Sequence, residues 1–212
     1  MGGTMRWRFG GVWVVALVLS GCASRVGALT APAGALTTVA EGGSPTSLPA
    51  TPTCDGTPTL PQTEGPYYKS GAPEASTLVD EATGGDRLML TGQVLTTACV
   101  PLAGARLDVW QADAGGVYDN AGYRMRGRVT TDADGRYALE TIVPGPYPGR
   151  TPHIHVKVFD PGGRELMTTQ IYLIGVSDQI ADSIFDPRLL ARDLPADAEG
   201  RRVVAFDIIV QP

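Results

Sequence analysis

Residues 144–157 read Pro-Gly-Pro-Tyr-Pro-Gly-Arg-Thr-Pro-His-Ile-His-Val-Lys, and they rule out most ways of folding this part of the chain. Proline fixes φ and has no N–H, so the first half can be neither helix nor central strand. It is a stiff loop that carries Tyr147 and Arg150. The second half alternates: on a strand, His153 and His155 share one face while Ile154, Val156 and Val158 share the other. The pattern predicts a half-buried strand with an apolar core face and an imidazole face. The chain has 2 His in all, and both are here.

Short alternating runs divided by turn residues continue on either side. Strands are expected at 88–94, 105–111, 128–131, 136–142, 153–160, 165–173 and 201–210. In the second of these, Ala105, Leu107 and Val109 alternate with Arg106, Asp108 and Trp110. Asp132-Ala133-Asp134-Gly135 predicts a hairpin between the third and fourth, because Asp-Gly accepts positive φ. Pro161-Gly162-Gly163 predicts another, which sets His153 or His155 opposite Gln170. Thr168, Gln170 and Tyr172 then share the imidazole face. A short helix at 179–185 and a polar loop precede the last strand. The fold class this implies is mainly β, an antiparallel β-sandwich with short helical segments, occupying 54–212.

The first 53 residues read differently. Arg6 and Arg8 precede an apolar run at 12–19 that is too short to span a bilayer as a helix. The run ends in Leu19-Ser20-Gly21-Cys22, which resembles a bacterial lipobox, with 1–21 as signal peptide and Cys22 as lipidated mature N-terminus. An ordinary secretory signal with a chance cysteine is the other reading. Translation can begin at Met1 or Met5. Residues 23–53 are mostly Ala, Thr, Gly, Ser and Pro without period, a flexible tether following Cys22. Both leader readings place the domain outside the cytoplasm, membrane-anchored in the first and facing the periplasm or cell exterior. There, Cys54 and Cys99 are expected to form a disulfide rather than two buried thiols. A net charge of −5 argues against nucleic acid as a partner.

Two neutral imidazoles on one strand face can chelate a metal ion. No third His exists for a three-His site, and the cysteines are assigned elsewhere, so carboxylates and phenolates remain as co-ligands. Asp113 or Asp119 would complete a two-His-one-carboxylate Fe(II) site but would leave Tyr147 without a role. Tyr118, just past the strand at 105–111, and Tyr147 fit better as phenolates at strand ends. A phenol with a pKa of about 10 is ionised near neutrality only by a strong Lewis acid such as Fe(III). Tyr137 and Tyr172 read as structural and Trp110 as packing.

At this point the chain resembles the intradiol ring-cleavage dioxygenases. The resemblance runs through Thr63-Glu64-Gly65-Pro66-Tyr67-Tyr68, Leu90-Thr91-Gly92-Gln93-Val94, Asp108-Val109-Trp110-Gln111-Ala112-Asp113 and Gly116-Val117-Tyr118. It continues through Thr131-Asp132-Ala133-Asp134-Gly135-Arg136-Tyr137, Pro144-Gly145-Pro146-Tyr147-Pro148, His153-Ile154-His155 and Gln170-Ile171-Tyr172. It implies a β-sandwich holding non-haem Fe(III) through Tyr118, Tyr147, His153 and His155. It further implies catalytic roles for Arg150, Gln170 and Tyr147, the last as the ligand that gives way to substrate, and a substrate-cavity position for Tyr67 and Tyr68. The implied reaction opens a catechol-type ring with O2 to a muconate-type dicarboxylic acid. The long N-terminal helical region that many catechol-type members use for dimer contact is missing, and a homo-oligomer remains compatible with the sequence. The signal, tether and cysteine pair look like the exported branch of the family. A lipid-anchored binding or accessory sandwich that keeps the iron site without turnover is the alternative function.

Overall fold

The computed structural model describes residues 54–175 and 182–212. The expected signal peptide, Cys22 and tether lie outside the described residues, as do 179–181 of the expected short helix.

Among the described residues the chain forms β1 (Arg87–Thr96), β2 (Arg106–Gln111), β3 (Arg126–Thr130), β4 (Arg136–Ile142), β5 (His153–Phe159), β6 (Glu165–Tyr172), β7 (Arg192–Leu194), β8 (Arg202–Ala205) and β9 (Ile208–Val210). Two sheets result. One runs β4-β1-β8-β7 with β9 also on β1; the other runs β3-β2-β5-β6. Leu88 and Leu90 of β1, Leu139 of β4, Leu107 and Val109 of β2, Ile154 and Val156 of β5 and Ile171 of β6 belong to one buried core. Each fully buried aliphatic side chain of this kind contributes roughly 2 kcal/mol. The alternation that assigned Ile154, Val156 and Val158 to the core is borne out.

Four expectations change. The turn at 132–135 closes as anticipated, with Gly135 N–H donating to Asp132 O at 3.0 Å, but it is not a hairpin. β3 pairs with β2 and β4 with β1, so the turn is a corner between sheets. Turn chemistry specifies a reversal, and the two strands then follow separate partners.

The last strand is two. β8 and β9 lie parallel to β1 in a common register, Thr91 opposite Ala205 and Val94 opposite Ile208, so that sheet is mixed rather than antiparallel. Between them the Asp207 carboxylate, not a main-chain carbonyl, accepts Gln93 N–H at 2.9 Å. Phe206 O comes so close that a Cβ on Gly92 would sit 1.9 Å from it, which makes glycine obligatory there.

Residues 182–185 form a turn, the 3-10 segment Pro187–Leu189 follows, and the expected polar loop contains β7. Finally, β5 is buried on both faces, with His153 and His155 each 3% exposed. The imidazole face is covered because an irregular N-terminal segment crosses it.

That segment also pairs with the edge strands β6, β3 and β4. Gln62 N–H donates to Thr168 O on β6, Arg128 N–H on β3 donates to Pro73 O, and Leu78 N–H donates to Glu140 O on β4. Unpaired edges would otherwise template association. Its start is tied down by the Cys54–Cys99 disulfide, as expected, across a sequence separation of 45. Closing a loop of that length removes about 4 kcal/mol of unfolded-chain entropy in the simplest treatment.

Candidate metal centre

His153 and His155 project from β5 toward the crossing segment, and their Nε2 atoms face each other at 3.0 Å. His153 Nδ1–H donates to Thr151 O at 2.6 Å, which leaves its Nε2 as a lone pair. The indole of Trp110, cross-strand from His155, stacks on that ring at 4.6 Å and 6°. Trp110 is therefore packing, as read from the sequence, but its packing fixes a ring of the site.

The two tyrosines arrive on loops joined by backbone contact. Gly145 N–H donates to Asp113 O, and Gly116, at φ +79°, lies so near Pro146 O that a Cβ would stand 2.0 Å from it. Tyr118 follows Gly116 and Tyr147 follows Pro146, so this contact brings both rings together, 6.2 Å apart and nearly perpendicular. Tyr118 Oη lies 3.5 Å from His153 Nε2. Burial pushes the Tyr118 phenol above its ordinary pKa, with Arg150 and Arg126 pulling it partly back.

The carboxylates of the rival two-His-one-carboxylate reading are used elsewhere. Asp113 Oδ1 accepts Gly115 and Val117 N–H, and Asp119 accepts Ala121, Gly122 and Arg124 N–H. Among the described residues no three of His, Cys, Asp and Glu come together. Among the described residues, therefore, a two-His-one-carboxylate site is not formed.

The donor set fits a hard, highly charged ion. Two imidazole Nε2 atoms 3.0 Å apart match two ligands of one ion at a metal–nitrogen distance of roughly 2.1 Å. Two phenol oxygens complete the set, and ionising buried phenols calls for a strong Lewis acid.

Of Tyr67 and Tyr68, both expected at the substrate cavity, Tyr67 lies against the two candidate phenol ligands. Tyr67 stacks on Tyr118 at 4.3 Å and its hydroxyl is 3.3 Å from that of Tyr147. Tyr68 turns away, donating to Asp108 Oδ2 at 2.8 Å and packing on Trp110. Arg150 donates to Gln170 Oε1, and His155 stands opposite Gln170, which resolves the register left open by loop length. Gln170 Nε2 donates to Thr63 O, so both ends of the amide are engaged within the protein.

Several residues escaped the sequence reading. Tyr172 reads as structural in the sequence, yet its hydroxyl donates to Gln170 Oε1 at 3.0 Å and accepts from Arg150 at 3.4 Å. Lys157 is buried against Glu64 and Glu165, with its ammonium over the Tyr68 ring. Its place two residues after His155 was the signal, since alternation puts it on the same face. Arg126 is buried and donates to Asp119 O and Tyr67 O. Asp182, which binds Arg150, falls within the short helix expected at 179–185, a reading that gives it no role.

Comparison with known proteins agrees. The profile of a family described as "Dioxygenase" matches residues 63–212. A catechol 1,2-dioxygenase of Pseudomonas sp. is 33% identical over 66% of this chain and 53% of its own length. A 6-chlorohydroxyquinol 1,2-dioxygenase of Cupriavidus pinatubonensis is 31% identical over 73% of this chain and 65% of its own length. The chain thus spans between about half and two thirds of these curated relatives. Among solved structures, the dioxygenase domain of a carbohydrate-binding fusion from Streptomyces sp. SirexAA-E gives a TM-score of 0.68 at 46% identity, covering 73% of this chain and 99% of that one. A 3-chlorocatechol 1,2-dioxygenase of Rhodococcus opacus gives 0.65 at 30% identity, covering 72% of each.

Burial also sets a pH dependence. It depresses His153 from 6.5 to about 4 and lowers His155 as well. The folded state refuses a proton that the unfolded chain binds, so stability is full above pH 6.5 and declines as pH falls toward 4. For His153 alone, metal-free protein should lose on the order of 2 kcal/mol between pH 7 and pH 4.5. Urea unfolding at both values checks this: the loss should shrink in His153→Gln, and an equal loss in that variant would contradict it.

Proposed function

This chain belongs to the intradiol ring-cleavage dioxygenase family, and from that premise we propose that it uses Fe(III) and O2 to open catechol-type rings between the two hydroxylated carbons. Both oxygen atoms enter the product, a muconate-type dicarboxylic acid. The observation that carries the reading is the pair of facing Nε2 atoms, 3.0 Å apart, with the Tyr118 phenol 3.5 Å away.

His153, His155, Tyr118 and Tyr147 would hold the ion. Ferric iron bound there supplies Lewis acidity and accepts electron density from a catecholate. The protein's own contributions follow from geometry. The Nδ1–H bond to Thr151 O keeps the Nε2 lone pair of His153 aimed at the site. Tyr147 is the half-exposed phenol of the pair, on a loop, and is the one placed to give way to substrate. The Tyr67 hydroxyl, 3.3 Å from it, can hold the freed phenol and take part in moving its proton. Arg150 supplies fixed positive charge for the anionic substrate and product carboxylates. Gln170, engaged at both ends, orients Arg150 and secures the segment at Thr63. The burial of both imidazoles by the crossing segment keeps bulk water from competing for the site.

The substrate class is catechols; the similar proteins include catechol, chlorocatechol and hydroxyquinol 1,2-dioxygenases. Localisation at a membrane facing the periplasm or cell exterior is supported by the Leu19-Ser20-Gly21-Cys22 pattern and by a disulfide of the kind that oxidising compartments maintain.

Two measurements test this reading. Iron-reconstituted protein should take up one O2 per catechol and place both atoms of labelled O2 in a ring-opened diacid. Folded, iron-loaded protein that consumes no oxygen with simple, carboxylated, hydroxylated or chlorinated catechols would contradict it. In cells, Cys22→Ser should move the protein from the membrane to the soluble fraction, and retention in the membrane would remove the lipid anchor.

A further inference from the structure

We propose that Asp182 is a positioning residue for the reaction: its single buried carboxylate fixes Arg150 and, through Thr151, the ring of His153. The Asp182 side chain is wholly inaccessible. Its Oδ1 accepts from Arg150 Nε at 3.0 Å and from Ile184 N–H at 3.1 Å. Its Oδ2 accepts from Thr151 N–H at 2.9 Å. The next group in line is the Thr151 carbonyl, which takes the His153 Nδ1–H. One carboxylate therefore holds the Arg150 side chain, the 150–151 peptide and the acceptor that orients a metal-binding imidazole.

A carboxylate removed from water destabilises a fold unless donors surround it. Here three donors do, and two of them belong to residues 150 and 151. Those residues leave a Pro/Gly loop with Gly149 at φ +73°, which fixes nothing about the rotamer of a long side chain. Unheld, Arg150 would sample many rotamers. Held at Nε by Asp182 and at Nη2 by Gln170 and Tyr172, it has one orientation. Its Nη1 has no bond to a described residue. The ion pair with Asp182 thus holds the guanidinium charge in one place and orientation.

The catalytic consequence rests on the function proposed above; the geometric part does not. In metal-free, 15N-labelled protein, Arg150 Nε–H and His153 Nδ1–H should exchange slowly in the wild type, and Asp182→Asn should release both. In the iron-loaded protein, Asp182→Asn should keep the visible absorption and leave KM nearly unchanged while kcat for oxygen uptake falls by roughly 10- to 100-fold. The Arg150→Ala, Asp182→Asn double variant should lose clearly less than the product of the two single losses, because part of the effect of Asp182 runs through Arg150. Two losses that multiply would make Asp182 a general structural residue and overturn the proposal. So would a wild-type Arg150 Nε–H that exchanges as fast as those of exposed arginines, a result that decides the matter even if Asp182→Asn does not fold. If no catechol supports turnover, the enzymatic reading fails on its own, and the exchange measurement still judges Asp182.

Discussion

Four polar side chains, one from each strand of the β3-β2-β5-β6 sheet, hold the segment that covers the imidazoles. Gln170 of β6 binds Thr63 O, Lys157 of β5 pairs with Glu64, Asp108 of β2 accepts from Tyr68, and Arg126 of β3 donates to Tyr67 O. The segment runs across the strands, so each contact falls on a different one. A sheet face that would ordinarily be wet becomes interior, and the groups on it become a site. Tyr67 is carried onto Tyr118 by the same crossing.

Burial of so many polar groups is costly unless each finds a partner. Here the partners double as alignment. Lys157 is 6% exposed yet has two carboxylates and an aromatic face around it. Burial lowers the pKa of Lys157 and the hydrogen bond to Glu64 raises it, with a net rise, so the ammonium stays charged. The imidazoles go the other way: burial keeps them neutral, as metal ligands must be. One covered face thus stabilises a cation where it is paired and lone pairs where an ion would sit.

Much of this was legible in the chain. Period-two alternation placed His153, His155, Gln170 and the core residues of β5 and β6, because a one-residue slip would expose every apolar side chain. Proline and glycine placed Tyr147 and Arg150 on a rigid loop, and the family resemblance assigned Tyr118 and Gln170. Other features depend on which strand meets which. The Asp132–Gly135 turn is specified locally, but the divergence of β3 and β4 into two sheets is a tertiary choice. The break at Phe206 and Asp207 arises from a side chain replacing a backbone acceptor, and Gly92 was its only trace in sequence. Asp182 lies in an irregular stretch, where no period says which way a side chain points.

The account stands on Tyr118, Tyr147, His153 and His155 reaching one ion. Resonance Raman spectroscopy with visible excitation of the iron-reconstituted protein tests this most directly. Two sets of phenolate vibrations should appear, one lost in Tyr118→Phe and the other in Tyr147→Phe. Spectra without phenolate bands, or bands that survive both substitutions unchanged, would mean that these side chains do not bind the metal.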